Sequence, residues 1–340
     1  MKAKVKLVAI AKNEAAYLPQ WIHHHFSIGF NEIELFINDT TDNSVAICEK
    51  IRKNHPNLII HIADQLRSES IQANRSFQIS AYNQSLHSPS SATHLMALDL
   101  DEYLIPRNLD DTLPDLLKRQ KTPDCLSFLW YSDHYEHKNS FEHPIQATNR
   151  IHRMDHVKTV SKISGKIHSC SHHNFIYQEN SKIINLLGGT ITRLDDNINT
   201  GSNRSKLSKQ QLNALSSNQT EPWFVLHCIY KSEREYLASL CRGRGHNNDQ
   251  RPLKVNRWGM APYPFYKHDP IHWCPSPEHV ERYQNEFSKF IQDNDLAEEL
   301  QQARYDILNK ADDLDKLLTE RPSLREQYKK IFSGTKHSLT

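Results

Sequence analysis

Two carboxylates separated by one residue, Asp99 and Asp101, directly follow a short apolar segment of the chain. In an extended backbone, residues i and i+2 project to the same side, so these two carboxylates are expected to point together. Paired oxygen ligands of this kind suit a hard divalent cation, Mg²⁺ or Mn²⁺, which neutralises phosphate groups. The alternative explanation is an acidic loop at the end of a strand, since Asp-x-Asp is a common pattern.

A second acidic turn contains Asp39 and Asp42. Carboxylates at the end of the second strand of a nucleotide-binding sheet accept hydrogen bonds from a ribose or a base. Turn formation and helix capping are the competing explanation, because Asp, Asn, Thr and Ser favour both. Neither GxGxxG nor GxxxxGK[ST] occurs in the chain, which disfavours dinucleotide-dependent dehydrogenases and P-loop NTPases.

Alternating strands and helices are predicted to position these turns. The predicted strands are residues 4–11, 32–37, 58–62 and 94–98, and the helices between them are residues 15–28, 45–54 and 71–86. This spacing is typical of parallel βαβ units, so we predict an α/β fold with a Rossmann-type, mostly parallel sheet flanked by helices. Such sheets bind ligands at the carboxyl ends of their strands, where both acidic turns are expected to lie.

The composition excludes several classes of protein. The chain has 340 residues and a formal net charge of +2, which gives no argument for nucleic-acid binding. Its six cysteines include no CxxC pair, so neither a thiolate zinc site nor a disulfide framework is indicated. No apolar run is long enough to span a bilayer, and the first ten residues lack a secretory h-region. We therefore expect a cytoplasmic protein, with a peripheral position on the inner face of a membrane as the alternative.

The predicted organisation is one catalytic domain with a C-terminal extension. Residues 1–110 form the predicted nucleotide-binding half, residues 111–250 the acceptor-side half, and residues 251–340 an irregular segment followed by helices. Ser276-Pro277-Glu278 has the sequence of a helix start. The apolar face of this helix is predicted to pack on the catalytic domain, and it consists of Val280, Tyr283, Phe287, Phe290 and Ile291.

Four short motifs occur in a fixed order along the chain. They are Ala9-Ile10-Ala11-Lys12-Asn13-Glu14, Asn38-Asp39-Thr40-Thr41-Asp42, Leu98-Asp99-Leu100-Asp101-Glu102-Tyr103-Leu104 and Leu226-His227-Cys228-Ile229-Tyr230-Lys231-Ser232, with Arg242-Gly243 further on. In this order they resemble family 2 and family 92-type glycosyltransferases, over about residues 5–109 and 225–245. Cys228 departs from the pattern, since the family usually has an aromatic residue there.

This resemblance implies a GT-A fold, a nucleotide-diphospho-sugar donor and a Mn²⁺ or Mg²⁺ cofactor. By position, the residues that it assigns to the nucleotide site are Asn13, Glu14, Asp39 and Asp42, and those that it assigns to the metal are Asp99 and Asp101. His227 would be a third metal ligand or a diphosphate contact, with a buried structural histidine as the alternative. The residues implied to contact phosphates are Lys231, Arg242 and Arg244. Arg75 could also meet a phosphate, or lie on a solvated helix face.

An inverting sugar transfer needs a general base beside the acceptor hydroxyl. The candidates are Asp133, Asp195, Asp196 and Glu136, and a solvated loop position is the alternative for each. The activity that the resemblance implies is transfer of a sugar, with inversion, to a hydroxyl of a surface glycan such as lipopolysaccharide or capsule. A nucleotidyltransferase or metal-dependent phosphohydrolase that uses the same paired Asp residues is the alternative enzyme, and a non-catalytic binding module is the third hypothesis.

Overall fold

The computed structural model describes residues 3–134, 139–163, 167–177, 183–185, 221–229, 231–241, 253–254, 257, 259–260 and 269–339. The strands in this part of the chain are β1 (Val5–Ala11), β2 (Glu32–Ile37), β3 (Leu58–Ile62), β4 (His94–Ala97), β5 (Glu102–Pro106), β6 (Cys125–Asp133), β7 (Asn149–Lys162), β8 (Ile167–Cys170), β9 (Phe175–Tyr177), β10 (Ile183–Asn185), β11 (Trp223–His227) and β12 (Ile271–Trp273). The helices are α1 (Leu18–Ser27), α2 (Ser44–Asn54), α3 (Asp64–Gln72), α4 (Phe77–His87), α5 (Leu113–Arg119), α6 (Glu233–Leu240), α7 (Pro277–Asp293), α8 (Ala297–Glu320), α9 (Ser323–Gln327) and α10 (Lys329–Phe332).

Ten strands form one mixed sheet, whose main path is β3-β2-β1-β4-β7-β6-β11-β5. Strands β1 to β4 are mutually parallel, β7 runs antiparallel to β4 and β6, and β11 runs parallel to β6. The carboxyl ends of β1, β2, β4, β6 and β11 therefore lie at the same edge of the sheet, which we call the site edge. The mostly parallel sheet flanked by helices confirms the predicted fold class.

The central strand β1 is covered by helices on both of its faces. Alternate residues of a strand point to opposite faces. Val5 and Leu7 lie in the larger hydrophobic cluster with Trp21 of α1, whereas Val8 lies in a second cluster with Tyr82 of α4. This two-sided burial explains why β1 is an almost continuous apolar run and not an alternating one.

The predicted single helix over residues 71–86 is wrong, because the chain forms two helices there, α3 and α4. Asn74 adopts a left-handed conformation with φ of 51°, which ends the first helix. Ser76 then caps the second helix, since its hydroxyl accepts a hydrogen bond from the backbone of Ile79. Strand β5 was not predicted either, because its residues directly follow the Asp99–Asp101 turn and read as part of that loop.

The C-terminal helices pack on the sheet domain. Helix α7 begins at the predicted Ser276-Pro277 position and buries Val280, Tyr283 and Phe290, as its apolar face predicted. Helix α8 packs against α6, and residues of both helices form a third hydrophobic cluster. In the part of the chain that the structure describes, no helix is both long enough and apolar enough to cross a bilayer.

Candidate active site

Two adjoining cavities open at the site edge. The large cavity, of about 430 Å³, is bordered by residues that include Tyr17, Asp133, Phe141 and Arg304. The small cavity, of about 70 Å³, is bordered by residues that include Asn13, Glu14, Arg257 and Lys310. The residues that border both cavities are Tyr17, Asp101, Cys228, Lys231 and Glu235. The structure thus brings Asn13, Glu14, Asp101, Asp133 and Lys231, all predicted from the sequence, to one place.

Asp101 and His227 form a partly buried pair at this place, with 28% and 12% of their side chains exposed. Strand β11 carries His227 to the site edge, and the amide of Cys228 donates a hydrogen bond of 2.8 Å to the carbonyl oxygen of Asp101. The carboxylate oxygen Oδ2 of Asp101 then lies 3.5 Å from Nε2 of His227. The second ring nitrogen of His227, Nδ1, is buried and has no hydrogen-bond partner among the described residues. Trp130 stacks on this imidazole with ring centroids 4.3 Å apart.

The pair is held in its charged form. Burial raises the pKa of Asp101, but the charge and hydrogen bond of His227 outweigh this effect and bring the pKa well below its usual range. Burial lowers the pKa of His227, but the Asp101 carboxylate outweighs it and leaves the pKa above its ordinary value. A cationic imidazole beside an anionic carboxylate is therefore the stable arrangement of these two groups in the structure.

Asp99 is held by different partners. The side-chain amide of Gln78 donates a hydrogen bond of 2.7 Å to Oδ1 of Asp99, and Nζ of Lys158 lies 3.5 Å from Oδ2. Lys158 also lies 2.8 Å from Glu102, and neither side chain is exposed. The predicted trio is thus not grouped around one point: Asp101 and His227 are adjacent, while Asp99 faces Lys158. Within the described ranges, no three His, Cys, Asp or Glu side chains are grouped so that they could hold a metal ion.

The buried Lys158 is a residue that sequence reasoning missed. Burial raises the pKa of Glu102 to about 7, against the opposing effect of Lys158. Burial lowers the pKa of Lys158, but the charges of Asp99 and Glu102 outweigh this and raise it. Lys158 therefore neutralises two acidic side chains beneath the Asp99–Asp101 turn.

Replacement of Lys158 by methionine is expected to destabilise the protein by about 3–5 kcal/mol, because the buried carboxyl group of Glu102 would remain without its cation. Urea unfolding at neutral pH measures this change in the free energy of unfolding. A matched control is Lys289→Met, which breaks an ion pair of 2.7 Å with Asp293 on the exposed surface of α7 and should change little. Equal effects of the two substitutions would contradict a role for Lys158 in supporting the turn.

The loops after β1 and β2 are braced against each other. Asn13 and Asp39 both have left-handed backbones, with φ of 54° and 42°. Oδ1 of Asn13 accepts a hydrogen bond of 2.7 Å from the amide of Thr41. Oδ2 of Asp42 accepts one of 3.0 Å from the amide of Ala15, and its Oδ1 accepts one of 3.0 Å from Ser44. Asp42 thus positions the loop that carries Asn13.

The remaining predicted residues have different surroundings. Asp39 is paired with Arg67 at 2.9 Å and with Lys12 at 3.6 Å. Arg75 is exposed in the turn between α3 and α4 and borders neither of the two cavities. The predicted residues that lie outside the described part of the chain are Glu136, Asp195, Asp196, Arg242 and Arg244.

Glu235 organises the wall shared by the two cavities. Its Oε1 accepts a hydrogen bond of 3.0 Å from the hydroxyl of Tyr17, and its Oε2 accepts bonds from Ser232 and from the amide of Phe141. Ser232 and Glu235 form a capping box at the start of α6, and the Ser-x-x-Glu spacing was visible in the sequence. Nζ of Lys231 lies 3.1 Å from the centroid of the Tyr17 ring, and burial lowers the pKa of Lys231.

Comparisons with known proteins give distant likenesses. No family model matches the chain, and no curated protein matches its sequence. Among solved structures, the chain is similar to the galactosyltransferase LgtC in complex with donor and acceptor sugar analogues. The identity is 14% and the TM-score is 0.26, and the match covers 38% of this chain and 46% of that chain. It is similar to the bifunctional glycosyltransferase WbbM, with 13% identity and a TM-score of 0.24 over 40% of this chain and 24% of that one.

A third likeness is to HddC from Yersinia pseudotuberculosis, with 11% identity and a TM-score of 0.26 over 46% of this chain and 76% of that chain. The match covers less than half of the length of LgtC and of WbbM. Because the likenesses are this distant, the functional conclusion depends on the residues of the site edge.

Proposed function

We propose that the protein is a metal-dependent glycosyltransferase of the GT-A type. It would move a sugar from a nucleotide-diphospho-sugar to a hydroxyl of an acceptor glycan, with inversion. The observation that carries this proposal is the position of Asp101, which is paired with His227 and borders two cavities, one beside Asn13 and Glu14 and the other beside Asp133. The motif order of the sequence, which resembles family 2 and family 92-type glycosyltransferases, supports it.

The small cavity, of about 70 Å³, suits the diphosphate of the donor and not the whole nucleotide-sugar. The cationic side chains that border it are Lys231, Arg257 and Lys310, and they would attract the diphosphate. Asn13 and Glu14 border the same cavity, at the end of the first parallel strand, where nucleotides bind in sheets of this kind. The backbone of Asn13 is left-handed, a conformation that asparagine tolerates, and its side chain braces the loop after β2.

The side chains at the centre have the chemistry of divalent-cation ligands, although Asp99 faces Lys158 and is not grouped with Asp101 and His227 in the structure. The carboxylate of Asp101 is ionised, and His227 has a buried ring nitrogen without a hydrogen-bond partner among the described residues. Mixed oxygen and imidazole ligands suit Mn²⁺, and oxygen ligands suit Mg²⁺. Asp101 would hold the ion, His227 would join it after its imidazole releases a proton, and Asp99 would join them when it separates from Lys158. Such an ion, when bound, neutralises the negative charge of a departing diphosphate.

The large cavity suits the acceptor. Asp133 lies at the carboxyl end of β6 and borders this cavity, so its carboxylate would accept the proton of the attacking hydroxyl. Asp195 and Asp196 remain the other candidates for this role. A surface glycan such as lipopolysaccharide or capsule would be the acceptor, and its assembly would place the enzyme in the cytoplasm, at the inner face of the membrane.

Incubation with a panel of UDP- and GDP-sugars and Mn²⁺ tests the proposal. We expect release of the nucleoside diphosphate from one donor, and loss of this release when EDTA removes the metal. Release of nucleoside monophosphate or pyrophosphate would instead support a nucleotidyltransferase or phosphohydrolase with the same paired Asp residues. Consumption of no donor in the panel, with or without an added glycan, would contradict both enzymes and leave a binding module.

A further inference from the structure

Arg304 of α8 borders the large cavity, and no ion pair joins it to an acidic side chain among the described residues. Its side chain is half-buried, and its Nε is fully buried with no hydrogen-bond partner among the described residues. The carboxylate of Glu235 attracts it, but both oxygens of Glu235 already accept hydrogen bonds from Tyr17, Ser232 and Phe141. A buried guanidinium nitrogen without a hydrogen-bond partner is costly, so the retention of Nε here requires an explanation.

The protein holds this guanidinium in place through Phe141. The Cζ of Arg304 lies 5.3 Å from the centroid of the Phe141 ring, within cation–π distance. Phe141 has a left-handed backbone with φ of 61°, which is unusual for a bulky residue. A hydrogen bond of 3.0 Å from its amide to Glu235 fixes this conformation. Backbone strain of this kind concentrates at ligand sites, and here it supports an arginine at a cavity wall.

A second arginine, Arg150, borders the same cavity from the start of β7. Its Nε is also buried without a hydrogen-bond partner in the described part of the chain. Neither Arg150 nor Arg304 borders the small cavity, where the donor diphosphate would lie. Both arginines therefore belong to the side of the site that holds Asp133 and the attacking hydroxyl.

We propose that Arg304 and Arg150 bind an anionic group, a carboxylate or a phosphate, on the sugar of the acceptor. The planar fork of arginine matches both groups through paired hydrogen bonds. The acceptor would thus be an acidic glycan, and the C-terminal helix α8 would contribute directly to acceptor selection. This inference uses the proposed function to identify the large cavity as the acceptor side, but the binding itself needs no turnover.

Binding of small acidic sugars in EDTA tests the inference. The probes are glucuronate for a carboxylate, glucose 6-phosphate for a phosphate, and glucose as the neutral control, each measured by titration calorimetry and by the shift in Tm. We expect one acidic sugar to bind while glucose does not. Arg304→Gln and Arg150→Gln should each weaken this binding by roughly tenfold, as loss of a charged hydrogen bond does. Arg304→Lys keeps the positive charge and should retain part of the affinity. Such partial retention would show that Arg304→Gln binds weakly because it lacks the charge and not because it fails to fold.

The matched control is Arg321→Gln, at the exposed end of the same helix, which should bind the acidic sugar as the unaltered protein does. Affinity for UDP should be the same in Arg304→Gln as in the unaltered protein. The inference would be overturned if glucose and both acidic sugars bound equally, or if none of them bound. It would also be overturned if Arg304→Gln bound the acidic sugar with unchanged affinity, or if that variant bound UDP more weakly. If acidic sugars bind through Arg304 while no nucleotide-sugar is ever consumed, the proposed function fails and the inference holds.

Discussion

An Asp101→Asn variant is expected to lose donor turnover by roughly a thousandfold, since stabilisation of a departing diphosphate by a metal contributes several kcal/mol and each 1.36 kcal/mol is a factor of ten. The substitution preserves the size of the side chain and removes its charge. Asp101 borders both cavities and is paired with His227, whereas Asp99 faces Lys158. Release of nucleoside diphosphate, together with calorimetric titration of Mn²⁺, measures the loss of turnover and of metal affinity.

A second Asp–His pair of the same chain supplies the control. Oδ2 of Asp110 lies 2.9 Å from Nε2 of His279, away from both cavities. Asp110→Asn removes the same charge from the same kind of pair and should leave turnover and Mn²⁺ affinity as they are. Normal turnover by Asp101→Asn would exclude the metal mechanism, and loss of turnover with unchanged Mn²⁺ affinity would assign Asp101 to substrate contact without the metal.

Local sequence patterns predicted the parts of the site that lie at strand ends. The strand–helix alternation of the first hundred residues placed Asn13, Asp39 and Asp99 at the carboxyl ends of parallel strands, and the sheet topology confirms this. Hydrophobic periodicity and polar turns are properties of adjacent residues, so the sequence carries them directly. The same reasoning identified the start of α7 and its buried face.

The partners of those residues could not be predicted in the same way. Lys158 lies in the middle of β7, 56 positions after Glu102, and no local pattern distinguishes it from an exposed strand lysine. Arg304 lies on a polar segment of α8 and reads as part of a solvated helix face. Their roles arise from the packing of distant segments, which the hydrophobic pattern of a single strand or helix does not specify.

The stability of the fold depends on histidines that the structure keeps neutral. His23 of α1 is 7% exposed and lies among the rings of α7, with centroid distances of 5.4 Å to Tyr283 and 5.3 Å to Phe290. Burial, with a smaller effect of His55, lowers the pKa of His23 to about 4. Burial likewise lowers the pKa of His24 to about 3. The α1–α7 contact therefore holds imidazoles that resist protonation while the protein is folded.

Acid should weaken this contact as the pH falls below about 6.5. Below pH ~6.5 the unfolded chain takes up a proton at each of these imidazoles, whereas the folded chain does not. The free energy of unfolding therefore decreases as the pH is lowered. For His23 the loss begins near its unfolded pKa and ends as the pH falls through about 4. Each such histidine contributes about 1.4 kcal/mol per pH unit within its window. Urea unfolding at a series of pH values measures the slope.

His23→Phe is expected to lower the slope of the free energy of unfolding against pH by about 1.4 kcal/mol per pH unit, the contribution of one proton. Between pH 6.5 and 5 the free energy of unfolding should therefore fall by roughly 2 kcal/mol less in the variant than in the unaltered protein. The phenyl ring fits the same aromatic neighbours and removes Nδ1, which is buried without a hydrogen-bond partner among the described residues. Phe287→Leu, which alters the same cluster without a titrating group, should shift stability by the same amount at every pH. A slope for His23→Phe equal to that of the unaltered protein would mean that His23 becomes protonated in the folded state, and that the α1–α7 contact tolerates the charge.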